Sequence, residues 1–345
     1  MKNILMIGPS LDVHGGISGV VNNLIDAGLK KKINLTYIGT MSEGSKIHKL
    51  FMAAKAYLKF ICIVKKADVV HINVASDASF YRKSLFIKKA KKAGKKIIIH
   101  QHGGDIINYY GDSSKKTKQY IKDIFDMADK LLVLSPLYEE FFKGIVDQNK
   151  VILFPNAIDT SIGMLPDEYE KDYNAILFLG RICEAKGVNE LLDAMKKIHE
   201  VRPDVKLYLG GIYENPEFES RVKSAKDYVE FIGWMTPENK NSYLKKCGIF
   251  TLPSYFEGQG VSILEAMNFG CGIVATNVGG IPMMIKDKEN GVLVKEKDSN
   301  SLYDGLMYML NNPDKAKEFG RNARKDVVCK FDINKTVDEL VKLYD

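Results

Sequence analysis

Apolar residues along the chain gather into short unbroken runs, separated by longer segments with helical spacing. Ile4–Gly8, Leu35–Gly39, Val69–Asn73, Ile97–His100, Leu131–Ser135 and Val151–Phe154 read as strands. So do Ala175–Leu179, Lys206–Gly210, Val229–Ile232, Ile249–Leu252 and Gly272–Thr276. Between them Gly19–Leu29, Thr117–Ala128, Asn189–Glu200, Asn239–Lys246 and Ser262–Phe269 repeat their apolar positions every three or four residues. Strand–helix alternation predicts an α/β protein whose parallel sheets are covered by helices on both faces. The alternation pauses between Pro155 and Asp172, where turn formers follow one another without periodicity, so a linker is expected over 156–172. The expected architecture is therefore two Rossmann-like, doubly wound domains, 1–155 and 173–325, facing across a cleft. Residues 326–345, with a helix over Phe331–Tyr344, are expected to pack back toward the first domain. In doubly wound sheets ligands bind beyond the carboxyl ends of the strands, so the loops there are the place to look for chemistry.

Composition narrows the class. The 345 residues are 46% hydrophobic and 27% charged, as in ordinary globular proteins. No run reaches the roughly eighteen apolar residues of a membrane span, and the first residues read as a strand, not a signal peptide. The five cysteines are scattered, with no Cys-x-x-Cys, which argues against a disulfide framework or a zinc site and for a reducing cytoplasm. Residues 1–150 hold 25 of the 50 basic residues and 13 of the 43 acidic ones, which concentrates positive charge there. A phosphorylated substrate, an anionic membrane face or nucleic acid would be drawn to such a half, and a solvated lysine-rich surface explains it equally well. No nucleic-acid-binding motif accompanies the charge.

The first candidate loop, Pro9–Gly16, ends in Gly15-Gly16, where amides at a helix N-terminus would take a phosphate. It is not a dinucleotide fingerprint: the glycine spacing differs and no acid follows the second strand. His102 follows an apolar strand and precedes Gly103-Gly104; His100, inside the strand, is the lesser candidate. Arg181 and Lys186 share the first loop of the second domain, and two cations on such a loop suit a diphosphate. Alone they would read as surface charges. Glu257 lies in a glycine-rich loop, and Glu265 stands one turn into the next helix, where Ser262-x-x-Glu265 also fits a capping box. Eight helical residues span about 12 Å, wider than the roughly 5–10 Å of a glycosidase pair, although a folded loop would shorten the distance.

Taken in order, Leu179-Gly180-Arg181…Lys186-Gly187, Phe231-Ile232-Gly233-Trp234, Pro253-Ser254…Glu257-Gly258…Leu264-Glu265-Ala266-Met267, Val278-Gly279-Gly280-Ile281-Pro282 and Asn290-Gly291-Val292-Leu293-Val294 resemble glycosyltransferase family 4. These are retaining enzymes of the GT-B fold. The resemblance covers most of the chain and includes Pro155-Asn156-Ala157-Ile158-Asp159 as the interdomain segment. It implies an enzyme, a hexosyltransferase, that moves a sugar from a nucleotide-diphosphate-sugar (a UDP-sugar ahead of a GDP-sugar) to a saccharide or polyprenyl-diphosphate-linked acceptor. Arg181 and Lys186 would bind the diphosphate, Glu265 the ribose hydroxyls and Glu257 the transferred sugar. His102 would contact the sugar, Gly15 and Gly16 the phosphates or acceptor. Backbone around Gly258, Gln259, Gly260 and Val261 would hold sugar hydroxyls, and Gly233 and Trp234 would border the base. No cofactor is expected. Asp-x-Asp is absent, so the arginine and lysine would stand where a metal would otherwise neutralise the leaving diphosphate.

One departure is Met283-Met284 after Pro282, where the family usually has Glu. The His102-Gly103-Gly104-Asp105 region resembles members that build bacterial cell-surface polysaccharides. Lys46–Lys66 mixes lysines with Leu50, Phe51, Tyr57, Leu58, Phe60, Ile61 and Ile63. It reads either as a core-packed helix with a lysine edge or as an amphipathic helix on an anionic membrane, and Lys88, Lys89, Lys91, Lys92, Lys95 and Lys96 add charge nearby. The second reading would place a cytoplasmic enzyme at the inner face of the membrane. The competing functions are a nucleotide-sugar epimerase, a phosphorylase-like enzyme (no distinctive Schiff-base lysine is evident) and a non-catalytic partner subunit of the same fold, against which Arg181, Lys186 and Glu257 all speak.

Overall fold

The computed structural model describes residues 1–103, 105–163 and 170–345; part of the expected linker, 164–169, and Gly104 of the His102 loop lie outside the described residues. The chain forms two compact units, 1–159 with 333–345, and 160–332. The first thus takes in the helix Ile333–Tyr344, while the helix Pro313–Lys330 stays with the second, placing the change-over at 332/333 instead of 325/326.

The first unit is built on six parallel strands, β1 (Asn3–Gly8), β2 (Asn34–Gly39), β3 (Val69–Val74), β4 (Lys96–Gln101), β5 (Lys130–Val133) and β6 (Val151–Leu153), in the order β2-β1-β3-β4-β5-β6. All six residues of β3 and Ile97, Ile98 and Ile99 of β4 are buried, because helices cover both faces and leave no side for polar alternation. The helix Ile333–Tyr344 closes this unit: Tyr344 is buried with its hydroxyl 2.8 Å from His71 Nδ1. Three lysines hold the end of that helix: Lys2 Nζ and Lys130 Nζ donate to the carbonyls of Tyr344 and Leu343 at 3.0 and 2.8 Å, and Lys96 Nζ reaches both at 3.3–3.4 Å. Cations suit the negative end of a helix dipole.

The second unit repeats the plan with β7 (Asp172–Leu179), β8 (Lys206–Gly210), β9 (Val229–Gly233), β10 (Cys247–Leu252), β11 (Gly272–Thr276) and β12 (Val292–Val294). The order is β12-β11-β10-β7-β8-β9, all parallel, with the reversal of winding between β7 and β10. Among the described residues no helix is long and apolar enough to cross a membrane.

Candidate active site

The loops after β7 and β10 meet at the winding reversal of the second sheet, where doubly wound sheets take their ligands. The β7 loop carries Arg181 and, in a single 3-10 turn, Lys186. Gly187 ends that turn at φ +66°, and a Cβ there would stand 2.0 Å from the Pro253 carbonyl oxygen. Only glycine lets the two loops touch so closely. The Tyr255 amide then donates to the Ala185 carbonyl at 3.0 Å. The loop after β11 joins from the other side. Gly279, at φ +55°, would put a Cβ 1.8 Å from the Glu257 carbonyl oxygen, and the Gly280 amide donates to that oxygen at 3.0 Å. Thr276 Oγ1 donates to the Ser254 carbonyl at 2.6 Å. Three loops are thereby locked together through their backbones.

Side chains converge on this frame. Lys186 Nζ pairs with Glu257 Oε1, and Ser254 Oγ donates to the same oxygen at 3.1 Å. Both bonds fall on Oε1, so Oε2 is unclaimed among the described residues. The Glu257 side chain is 11% exposed and that of Lys186 27%, so the pair is shielded but reachable. Glu265 Oε1 accepts from Lys240 Nζ at 2.6 Å, again on one oxygen only. Arg181 is exposed and makes no hydrogen bond or ion pair among the described residues. Gly258, Gln259 and Gly260 are buried, and Gly260 is the N-cap of the helix Val261–Asn268, which has no side-chain cap. The Ile263 and Leu264 amides donate to the Gly260 carbonyl, and those of Val261 and Ser262 have no partner among the described residues, which leaves them for an anion. The capping box expected of Ser262 and Glu265 is not formed: the helix starts at Val261 with Gly260 as its N-cap, Ser262 falls inside the first turn, and Glu265 is taken by Lys240. Gly233 ends β9, two strands over from β7, and Trp234 follows it; the Gly211 amide donates to the Gly233 carbonyl at 2.9 Å, and Trp234 is 53% exposed.

The first unit carries Gly15, Gly16 and His102. Gly15 caps the helix Gly16–Asp26 from an extended conformation, with no side-chain cap, and neither glycine would meet anything within 4 Å if it bore a Cβ. The helix terminus is bare and its approach is open. Its loop is held by Ser18 Oγ on the Ser10 carbonyl at 3.0 Å and by Asn22 Nδ2 on the Leu11 carbonyl at 2.9 Å. His102 stands just past β4, with Nε2 2.6 Å from Asn73 Oδ1. Asn73 donates its own Nδ2 to the Ile7 carbonyl at 3.1 Å, so Oδ1 is the acceptor, His102 Nε2 carries the proton, and Nδ1 is left as an acceptor. His100 lies 3.9 Å from the His102 ring and His71 5.6 Å from His100. Burial first, then the nearby charges of His71 and Lys83, lower the His102 pKa to about 3; burial alone brings His71 to about 3. These imidazoles are neutral at any physiological pH. Lys83 is itself buried, donating to Thr40 Oγ1 at 2.6 Å, and its pKa is driven well down by burial and by Arg82.

Sequence reasoning passed over Ser254, Lys240 and Asn73. Asn73 had a signal, a lone amide at the end of an all-buried strand; Lys240 had none.

Residues 166–326 match the model of the glycosyl transferases group 1 family. An uncharacterised glycosyltransferase of Methanocaldococcus jannaschii is 29% identical over 254 residues, covering 72% of this chain and 68% of its own. An uncharacterised 41.2 kDa protein from the cps region of Klebsiella pneumoniae is 26% identical, over 96% of this chain and 97% of its own. Among solved structures, sucrose-phosphate synthase from Thermosynechococcus elongatus superposes with a TM-score of 0.83 at 20% identity, over 100% of this chain and 98% of that one. Anabaena HepE in complex with UDP-glucose gives 0.77 at 16%, over 99% and 100%. At these identities the structures speak for the fold, which is GT-B.

Proposed function

We propose that the chain is a glycosyltransferase of group 1, like the family whose model matches residues 166–326, and that it transfers a hexose from a UDP-sugar, with retention of configuration, to a saccharide or lipid-linked acceptor in cell-surface polysaccharide synthesis. The observation that carries this reading is the cluster of Lys186, Glu257 and Ser254 beside the uncapped helix at Val261, at the winding reversal of the sheet. Transfer breaks the bond from the sugar's anomeric carbon to the diphosphate and forms one to the acceptor oxygen. Negative charge develops on the leaving diphosphate. Arg181 and Lys186 meet that charge together with the helix amides, and Lys186 and the amides, fixed beforehand, need no reorganisation when it appears. Lys186 has three donors, so it can serve a phosphate while holding Glu257. The free Oε2 of Glu257 takes a hydroxyl of the transferred sugar, and that of Glu265 takes the ribose. Departure and attack occur on one face, the acceptor's proton passing to the departing phosphate oxygen. His102, through Nδ1, accepts from a sugar hydroxyl. The UDP-glucose bound by HepE supports uracil as the base, and the cps-region relative supports the polysaccharide role.

Thermal melting with UDP, GDP and ADP, each with and without EDTA, tests the reading, because a ligand that binds the native state raises Tm by mass action. The expected result is an EDTA-insensitive rise with UDP that disappears in Arg181→Ala. A rise with GDP alone reassigns the base. No rise with any of the three overturns the proposal in favour of a non-catalytic member of the fold.

A further inference from the structure

The helix Lys46–Ile63 is apolar on two sides. Its inner side packs. Ala56 and Phe60 are buried, and Tyr57 and Phe60 set their rings edge-on to Phe86, on the helix Asp77–Lys92, at 5.2 and 5.1 Å. Its outer side carries Ile47, Leu50, Phe51, Ala54, Leu58 and Ile61, and all of them are exposed. Ile47, Leu50, Phe51 and Leu58 are 82%, 72%, 65% and 66% exposed. Steps of three and four residues place these side chains on one stripe. At 1.5 Å per residue the stripe runs about 21 Å. Scattered exposed apolar residues are ordinary in a soluble protein, but a continuous stripe marks a contact surface.

Charge says what the contact is. Lys55 and Lys59, one turn apart, border the stripe on one flank, and Lys65 and Lys66 follow at its end; all four are exposed. From Ser45 to Ala67 there are six lysines and no acidic residue. A second copy of the chain stacked here would bring lysine rows together, and an acidic protein partner would leave the leucines and phenylalanine unused. A bilayer with anionic lipid takes both parts. We propose that this face docks on anionic phospholipid, the helix lying in the plane of the interface with Leu50, Phe51 and Leu58 between headgroups and acyl chains and the lysines on lipid phosphates. The inference goes beyond the sugar-transfer reading: it says where the protein meets an acceptor held in a bilayer, and it does not depend on the donor.

Co-sedimentation with vesicles of phosphatidylcholine alone, and of phosphatidylcholine mixed with phosphatidylglycerol, tests it. The wild-type chain is expected to bind the anionic vesicles at least about tenfold more tightly, less so at high salt, since each lysine near such a surface is worth about fivefold. Phe51→Glu/Leu58→Glu should lose the binding with Tm and the UDP-induced shift unchanged, because both side chains already face water. Lys55→Glu/Lys59→Glu should lose about twentyfold or more and become less sensitive to salt. Equal binding to neutral and anionic vesicles overturns the proposal, as does full binding by the Phe51→Glu/Leu58→Glu variant. A wild-type dimer that this variant dissolves, seen by analytical ultracentrifugation, would assign the face to self-association instead. The nucleotide shift is read separately, so failure here leaves the donor site standing.

Discussion

At the carboxyl edge of the second sheet, Glu257 is matched to Lys186 and Glu265 to Lys240, each through a single oxygen. At the same edge of the first sheet the reactive-looking groups are uncharged: His102 and Asn73 share one hydrogen bond, and His71 and His100 lie behind them as buried neutral rings. The first arrangement suits a ligand whose charge changes during reaction, because paired ions within a rigid frame can respond to it without moving. The second suits hydroxyl groups, which need a donor and an acceptor in fixed places and gain nothing from a full charge. The contrast separates an edge suited to an anion from an edge suited to hydroxyl groups.

The sharpest break of this comparison is Lys186→Ala. It leaves the Glu257 carboxylate with Ser254 alone and, on the proposed reading, takes a cation from the leaving group, so kcat for sugar transfer is expected to fall about 100- to 1000-fold. His102→Ala should cost clearly less; an equal loss would mean that the neutral edge also carries transition-state charge. Next in size is Gly279→Ala, which forces an alanine to a positive φ against the Glu257 carbonyl. Urea unfolding should show a loss of about 1–3 kcal/mol, with weaker UDP binding because Glu257 is displaced.

The neutral edge should show itself through pH. The pKa values of His71, His100 and His102 lie below those of the unfolded chain, so their contribution to stability is fully present above about pH 6.5 and is lost as pH falls below it, toward about 3 for His71 and His102. Each contributes up to about 1.4 kcal/mol per pH unit in that window. The Tm measured from pH 7 to pH 5 should fall less steeply in His100→Phe, which removes one of the three rings. An identical slope would refute the assignment. The smallest effect is expected of Lys240→Met: Glu265 keeps its place on the helix but loses its orienting partner, so KM for the donor should rise about three- to tenfold with little change in kcat.

Much of the fold can be read from the chain because parallel strands buried on both faces must be continuous apolar runs. Ile97–Ile99 and Ile273–Ala275 can hardly be anything else. The strand Val292–Val294 escapes that reading: three residues show no period, and its place is set by pairing with β11. The helix Asp77–Lys92 escapes too, since its lysines hide the spacing of Phe80, Phe86 and Ile87. At the site, the motif spacing points to Arg181, Lys186, Glu257 and Glu265. It cannot reveal that Ser254 shares an oxygen with Lys186, or that Lys240 reaches Glu265 across 25 residues, because those partners come from folding and not from adjacency. The capping box failed for a related reason: its pattern is local, and the helix already starts at Val261, ahead of Ser262.

The closing of the first unit by residues 333–345 bears on the order in which the protein is made. Translation proceeds from the N-terminus, and domains fold as units as they emerge. The second unit is one uninterrupted stretch, 160–332, and has all its parts as soon as it leaves the ribosome. The first unit begins earlier but lacks Tyr344 and the helix end that Lys2, Lys96 and Lys130 hold. Until those residues arrive, His71 lacks the Tyr344 ring and hydroxyl that sit against it. The unit synthesised first is therefore the one completed last, and its six-stranded sheet waits for its closing helix while the other unit takes shape.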